Sequence, residues 1–148
     1  MSFMKYLNEL EKLNLPKDKF AIFGSGPLAI RDIRETNDLD IIVKPELWEK
    51  LKKKYPVKDK EKGLIKIGNI EIYKKWGKWF DDMSKLIDEA DIIRGLRFVK
   101  IERVLEWKKA FNREKDKKDI ELIKKYFKNN QPRTKNFVSV RGKNLGRS

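Results

Sequence analysis

The sequence predicts an α/β (α+β) domain: a small mixed β-sheet flanked by helices, with a helical segment at its C-terminal end. Three observations carry this. Short apolar runs bounded by turn residues, such as Phe20-Ala-Ile-Phe and Leu39-Asp-Ile-Ile-Val, alternate with stretches of helical periodicity. The chain has 148 residues, one domain's worth. It is 39% hydrophobic with four Trp and eight Phe, enough apolar volume for a core.

Residues 2–14 set Phe3, Met4, Leu7, Leu10 and Leu13 at helical spacing, which predicts a first helix. Residues 19–23 read as a strand. Pro27, tolerated in a first helical turn, starts a short helix directly after Gly24-Ser25. A second strand spans residues 38–43. The next helix, 45–55, turns Leu47, Trp48 and Leu51 inward and begins at Pro45, where a missing N–H does no harm. Two alternating runs flank the Gly68-Asn69 turn and read as strands. Residues 80–87 read as a helix, 96–99 as a short strand, and 101–111 and 115–127 as a closing helical pair. There is no internal repeat. A unit over 1–130 is expected, its core at about 17–100 and its helical segment at about 101–128, followed by a basic tail at 131–148 that orders poorly.

The chain has no Cys and no His. Disulfides, thiolate metal sites, Cys nucleophiles and imidazole bases are excluded, so acid–base chemistry falls to carboxylates, lysines or metal-bound water. No apolar run approaches the roughly 18 residues of a membrane span, and the first residues lack a signal-type apolar stretch, so no membrane partner and a cytoplasmic location are expected. The net charge is +14, of which the acid-free tail contributes +5 and residues 1–130 contribute +9. Such a balance favours polyanions, RNA or a nucleoside triphosphate (NTP), although a Lys-rich solvated surface explains it equally.

The chemistry concentrates in two short segments. Gly24-Ser25 lies between an apolar strand and a helix start, where backbone N–H groups can hold phosphate oxygens. Twelve residues later come Asp38 and Asp40, at i and i+2 of a strand and so on one face. Two carboxylates about 6.6 Å apart repel by about 2.5 kcal/mol at an effective dielectric of about 20. A divalent cation removes that cost, and Mg²⁺ is held by one or two carboxylates plus substrate phosphates. Read without Gly24-Ser25, the pair would be a solvated turn before a strand.

Gly24-Ser25 followed by Asp38-Leu39-Asp40 resembles the signature of polymerase-beta-type nucleotidyltransferases, in particular the small stand-alone enzymes that include abortive-infection and toxin types. The segment from Leu105 to Ile123, with Lys108, Arg113 and Lys115-Asp116-x-x-Asp119, is similar to a Lys, Arg, Lys-Asp-x-x-Asp pattern of the small relatives. The resemblance covers roughly residues 17–128. It implies a nucleotidyltransferase fold and transfer of an NMP from an NTP to an acceptor hydroxyl, with Mg²⁺ or Mn²⁺ held by Asp38, Asp40 and a third carboxylate. Glu71 is the candidate for the third; many relatives have Asp there, and an isolated Glu on an alternating strand also reads simply as the wet face. Gly24 and Ser25 would hold the departing phosphates, and Lys108 and Arg113 would meet phosphate charge. The acceptor is left open among RNA such as tRNA, a protein hydroxyl and a small molecule, as is the oligomeric state. The rival reading is a non-catalytic nucleic-acid-binding or toxin–antitoxin partner module on the same fold.

Three further features bear on the site. Lys108 falls in a row with Ile101, Val104 and Leu105, so it faces the core, where it either meets a triphosphate or snorkels to solvent. Asp116 and Asp119, in a first helical turn, read as caps that orient Arg113. Trp76, Trp79 and Phe80, interleaved with Lys74, Lys75 and Lys78, read either as packing or as base-stacking platforms, with Trp76 the exposed candidate.

Overall fold

Strand and helix alternate along the chain in the computed structural model, which describes residues 2–76, 80 and 82–130. The expected tail at 131–148, together with Lys78 and Trp79, lies outside the described residues. The order is α1 (Ser2–Glu11), β1 (Phe20–Phe23), α2 (Gly26–Ala29), β2 (Leu39–Val43), α3 (Pro45–Lys54), β3 (Leu64–Ile67) and β4 (Ile70–Tyr73). There follow α4 (Met83–Asp88), β5 (Asp91–Ile93), β6 (Leu96–Phe98), α5 (Ile101–Phe111) and α6 (Glu114–Asn129).

The six strands make one mixed sheet in the order β3-β4-β2-β1-β6-β5. β1 runs antiparallel to β2 and parallel to β6, β2 runs parallel to β4, and β3–β4 and β5–β6 are antiparallel hairpins. The expected α+β class is what the chain forms.

The sheet is covered on both faces, and the period of two decides what each face receives. Phe20, Ile22, Leu39, Ile41, Ile70 and Ile72 pack with Phe3, Leu7 and Leu10 of α1 and Leu47, Trp48 and Leu51 of α3. Ala21, Phe23 and Ile42 pack instead with Leu86 of α4, Val104 and Trp107 of α5 and Ile123 of α6. β1, buried at all four positions, is accordingly apolar throughout. Asp40 alternates onto the same face as Ile42, and Glu71 onto the same face as Tyr73. The acidic residues therefore lie on the α4–α6 side.

Most elements end within a few residues of the sequence reading, β2 starting at Leu39 so that Asp38 lies just before the strand rather than in it, and two departures are larger. β5 was not expected: Arg94 and Gly95 both take positive φ, 54° and 78°, and so form a two-residue hairpin turn between Ile93 and Leu96. Arg is not a usual residue there, so the turn carries no Asn-Gly or Asp-Gly signal. α4 begins at Met83 rather than Phe80, because the Asp82 side chain accepts from Lys85 N at 3.0 Å and caps the helix. No described helix is long and apolar enough to cross a membrane.

Candidate metal and phosphate site

β2 and β4 lie side by side in parallel register, with Asp40 opposite Glu71. Asp38 precedes β2, in a loop tied down by the buried Thr36, whose hydroxyl donates to the Asp38 carbonyl at 3.3 Å. Leu39 N donates to Asn69 O at 3.1 Å and fixes the strand start against the β3–β4 turn. The result is a cluster in which one carboxylate oxygen each of Asp38, Asp40 and Glu71 lies within 4.8 Å of the others.

Asp40 bears most of the electrostatic cost. Its burial, followed by the charges of Asp38 and Glu71, pushes its pKa up to about 8. Asp38 is raised too, by burial and then by Glu71. Asp40 Oδ1 is buried and accepts no hydrogen bond, and the neighbours that perturb the carboxyl are themselves acids. An unpaired buried oxygen among three carboxylates is what a bound cation would satisfy, and an all-oxygen donor set suits a hard divalent ion. The residues present therefore fit a metal ion.

Glu71 is held from two sides. Tyr73, two residues along the same strand face, donates its hydroxyl to Glu71 Oε1 at 3.0 Å, and burial followed by Asp40 raises the phenol's pKa. Lys66, opposite Glu71 on β3, brings Nζ to 3.9 Å from Oε2.

The Gly24-Ser25 turn abuts this cluster. Gly24 has φ +63°, and a Cβ built on it would lie 2.5 Å from Asp40 Oδ2, so position 24 admits no side chain. Ser25 precedes α2, and its Oγ accepts a hydrogen bond from Arg34 Nη2. Two segments of the sequence motif thus meet through direct contact of Gly24 with Asp40.

Lys108 and Arg113 are both ion-paired to buried carboxylates. Lys108 is 2% exposed, which removes the snorkelling alternative. Its ammonium lies 2.8 Å from Asp119 and 3.3 Å from Asp116. Arg113 forks onto Asp116 through Nε and Nη2 at 2.8 and 3.0 Å, and its guanidinium lies 4.0 Å from the Phe111 ring centroid. Asp116 is also the expected cap, accepting from Arg113 N at 3.0 Å. Asp119 is not a cap: it takes Lys108 on one side and Arg34 Nε and Nη2 on the other, at 2.7 and 3.0 Å. Burial opposes the charge on both carboxylates, and the hydrogen bonds from Arg113 to Asp116 and from Arg34 and Lys108 to Asp119 outweigh it, leaving both pKa values below the usual range.

The exposed-platform reading of Trp76 is corrected. Trp76 is 7% exposed, stacked at 4.6 Å on Phe23 and edge-on to Tyr73 and Trp107, and so belongs to the core. Its place just beyond β4 on the α4–α6 side, where aromatic side chains pack helix to sheet, explains this. Arg34 and Tyr73 are the residues that the sequence did not single out. Comparison of the chain with protein-family models, curated proteins and solved structures finds no match.

Proposed function

We propose that the protein is a metal-dependent nucleotidyltransferase, moving an NMP from an NTP to an acceptor hydroxyl. The observation that supports this most is the contact between the Gly24 turn and the Asp38, Asp40 and Glu71 cluster, which brings a turn able to hold phosphate next to carboxylates able to hold a cation. Asp38, Asp40 and Glu71 would hold Mg²⁺ or Mn²⁺. Bound there, the ion supplies charge neutralisation for phosphate and a lowered pKa for the acceptor hydroxyl.

The chain's own residues account for the rest. Ser25 and the Gly24 backbone receive the β and γ phosphates. The acceptor oxygen bonds to the α-phosphorus as the bond from that phosphorus to the β-bridging oxygen breaks. Pyrophosphate departs with the bonding pair, and the hydroxyl proton passes to Glu71, whose carboxylate Tyr73 orients. A net charge of +14 favours an RNA acceptor such as a tRNA end over a neutral small molecule.

The test is incubation with each α-labelled NTP, Mg²⁺ and total tRNA or a lysate, with label followed into RNA, protein and small molecules. Transfer that disappears with Asp40→Asn supports the reading. Metal-independent RNA binding with no label transferred by any NTP would support the non-catalytic module instead.

A further inference from the structure

We propose that Arg34 is the positioning residue of the phosphate-holding turn, fixing the Ser25 hydroxyl as a hydrogen-bond donor to a triphosphate and tying it to the α5–α6 pair. The proposal rests on the nucleotidyltransferase reading above and deepens it.

All three guanidinium nitrogens of Arg34 are committed. Nε and Nη2 fork onto Asp119 at 2.7 and 3.0 Å, Nη1 donates to Glu35 O at 2.8 Å, and Nη2 also donates to Ser25 Oγ. A guanidinium has donors only. Ser25 Oγ must therefore accept from it, which leaves the serine's own proton to give to another group. At the mouth of a cluster built for phosphate chemistry, the fitting acceptor is a phosphate oxygen. Without Arg34 the hydroxyl would be free to rotate and to accept rather than donate.

The same side chain links distant elements. Asp119, 85 residues from Arg34, is shared with the buried Lys108, and Lys108 is shared with Asp116, which Arg113 clamps. Three cations thus share two carboxylates, a net charge of +1, and Arg34 is the member of this network that contacts Ser25, which suits the turn to a polyphosphate. A lysine at position 34 would keep the charge and lose the fork, because one ammonium cannot meet Ser25, Glu35 and both oxygens of Asp119 in this geometry.

The experiment measures initial rates against NTP concentration, and binding of inorganic tripolyphosphate with Mg²⁺ by calorimetry. The proteins are the wild type, Ser25→Ala, Arg34→Met, Arg34→Lys and the Ser25→Ala/Arg34→Met double variant, each with its melting temperature. The expected result is that Ser25→Ala and Arg34→Met each raise KM and the tripolyphosphate Kd about tenfold, as a lost charge-assisted contact does. The double variant should be no worse than the poorer single one, and Arg34→Lys should not rescue. Multiplying effects in the double variant, or a lowered melting temperature with KM unchanged, would overturn the positioning role. Should Arg34→Met fail to fold, a wild-type KM in Arg34→Lys would overturn it instead. A wild-type protein that transfers no NMP and binds no tripolyphosphate defeats the nucleotidyltransferase reading itself, a result distinguishable from the others.

Discussion

At Asp40 a single buried carboxyl couples stability to pH and, under the proposed function, to metal and catalysis. Its pKa of about 8 lies above the ordinary 3.8, so between those values the folded chain keeps a proton that the unfolded chain gives up. Stability from this group is full below about pH 4 and is lost as pH rises toward 8, by about 1.4 kcal/mol per pH unit inside that window. Asp116 and Asp119 have lowered values and act in the opposite sense: their contribution is present above the unfolded value of 3.8 and is lost as pH falls through the folded ones. Chelator-treated protein should therefore be most stable near pH 4 and weaken toward pH 8, while millimolar Mg²⁺ should restore the alkaline side; urea titrations across this range check both. Asp40→Asn should abolish transfer and Mg²⁺ binding, keep the fold, and flatten the alkaline decline in chelator. A variant that retains turnover would remove Asp40 from the site. Gly24→Ala should cost stability and metal affinity together, because the new methyl meets Asp40 Oδ2 at a backbone φ of +63°, and a left-handed non-Gly residue alone costs about 1–2 kcal/mol. Thermal melts with and without Mg²⁺ read out that pair of losses.

The α5–α6 hairpin depends on residues that look ordinary in the sequence. α5 stops at Asn112, in the left-handed conformation with φ 55°, and α6 restarts at the reciprocal cap between Arg113 and Asp116. Between the two helices Lys108 neutralises Asp116 and Asp119, all three nearly or fully inaccessible. Lys108→Met should leave two buried carboxylates short of a partner and lower stability by about 3–5 kcal/mol, whereas Lys108→Met with Asp119→Asn should recover part of it. Chemical denaturation of the single and double variants measures this, and a Lys108→Met protein as stable as wild type would show that Arg34 and Arg113 alone neutralise the carboxylates. Lys108 could be seen facing inward from its row with Ile101, Val104 and Leu105, and the i, i+2 acids and the Gly68-Asn69 turn were equally readable, because these signals are local. What Lys108 meets was not readable, since Asp119 lies beyond a helix break. Arg34 was less visible still: it sits in a loop with no periodicity, and its partners are 9 and 85 residues away. The β5–β6 hairpin carries no sequence signal because Arg94 occupies a turn position usually marked by Asn or Asp.

On the scale of the molecule, the two faces of the sheet are unlike. α1 and α3 seal one face, while the other carries the acids at the β2 and β4 strand starts, next to the α2 turn. Cations gather around them. Lys66, Arg34 and Lys115 each favour the charged form of Asp38, against burial and Glu71. Lys115 and Lys66 are exposed, so this rim presents positive charge to whatever approaches the cluster. In the sequence, residues 131–148 add +5 to the +9 of residues 1–130. An RNA acceptor that bridges rim and cluster would release counterions on binding, and with roughly four phosphate contacts on a single strand its affinity would fall about fifty-fold between 50 and 200 mM salt. A small-molecule acceptor would show no such slope. The measurement is transfer to total tRNA at rising KCl, made with the full chain and with a truncation after Asn130. The rim predicts an equally steep loss in both proteins. Salt sensitivity that disappears with the truncation would place the RNA contacts on residues 131–148. Absence of tRNA labelling at any salt, with labelling of another acceptor intact, would reject RNA and leave the carboxylate cluster with a different substrate.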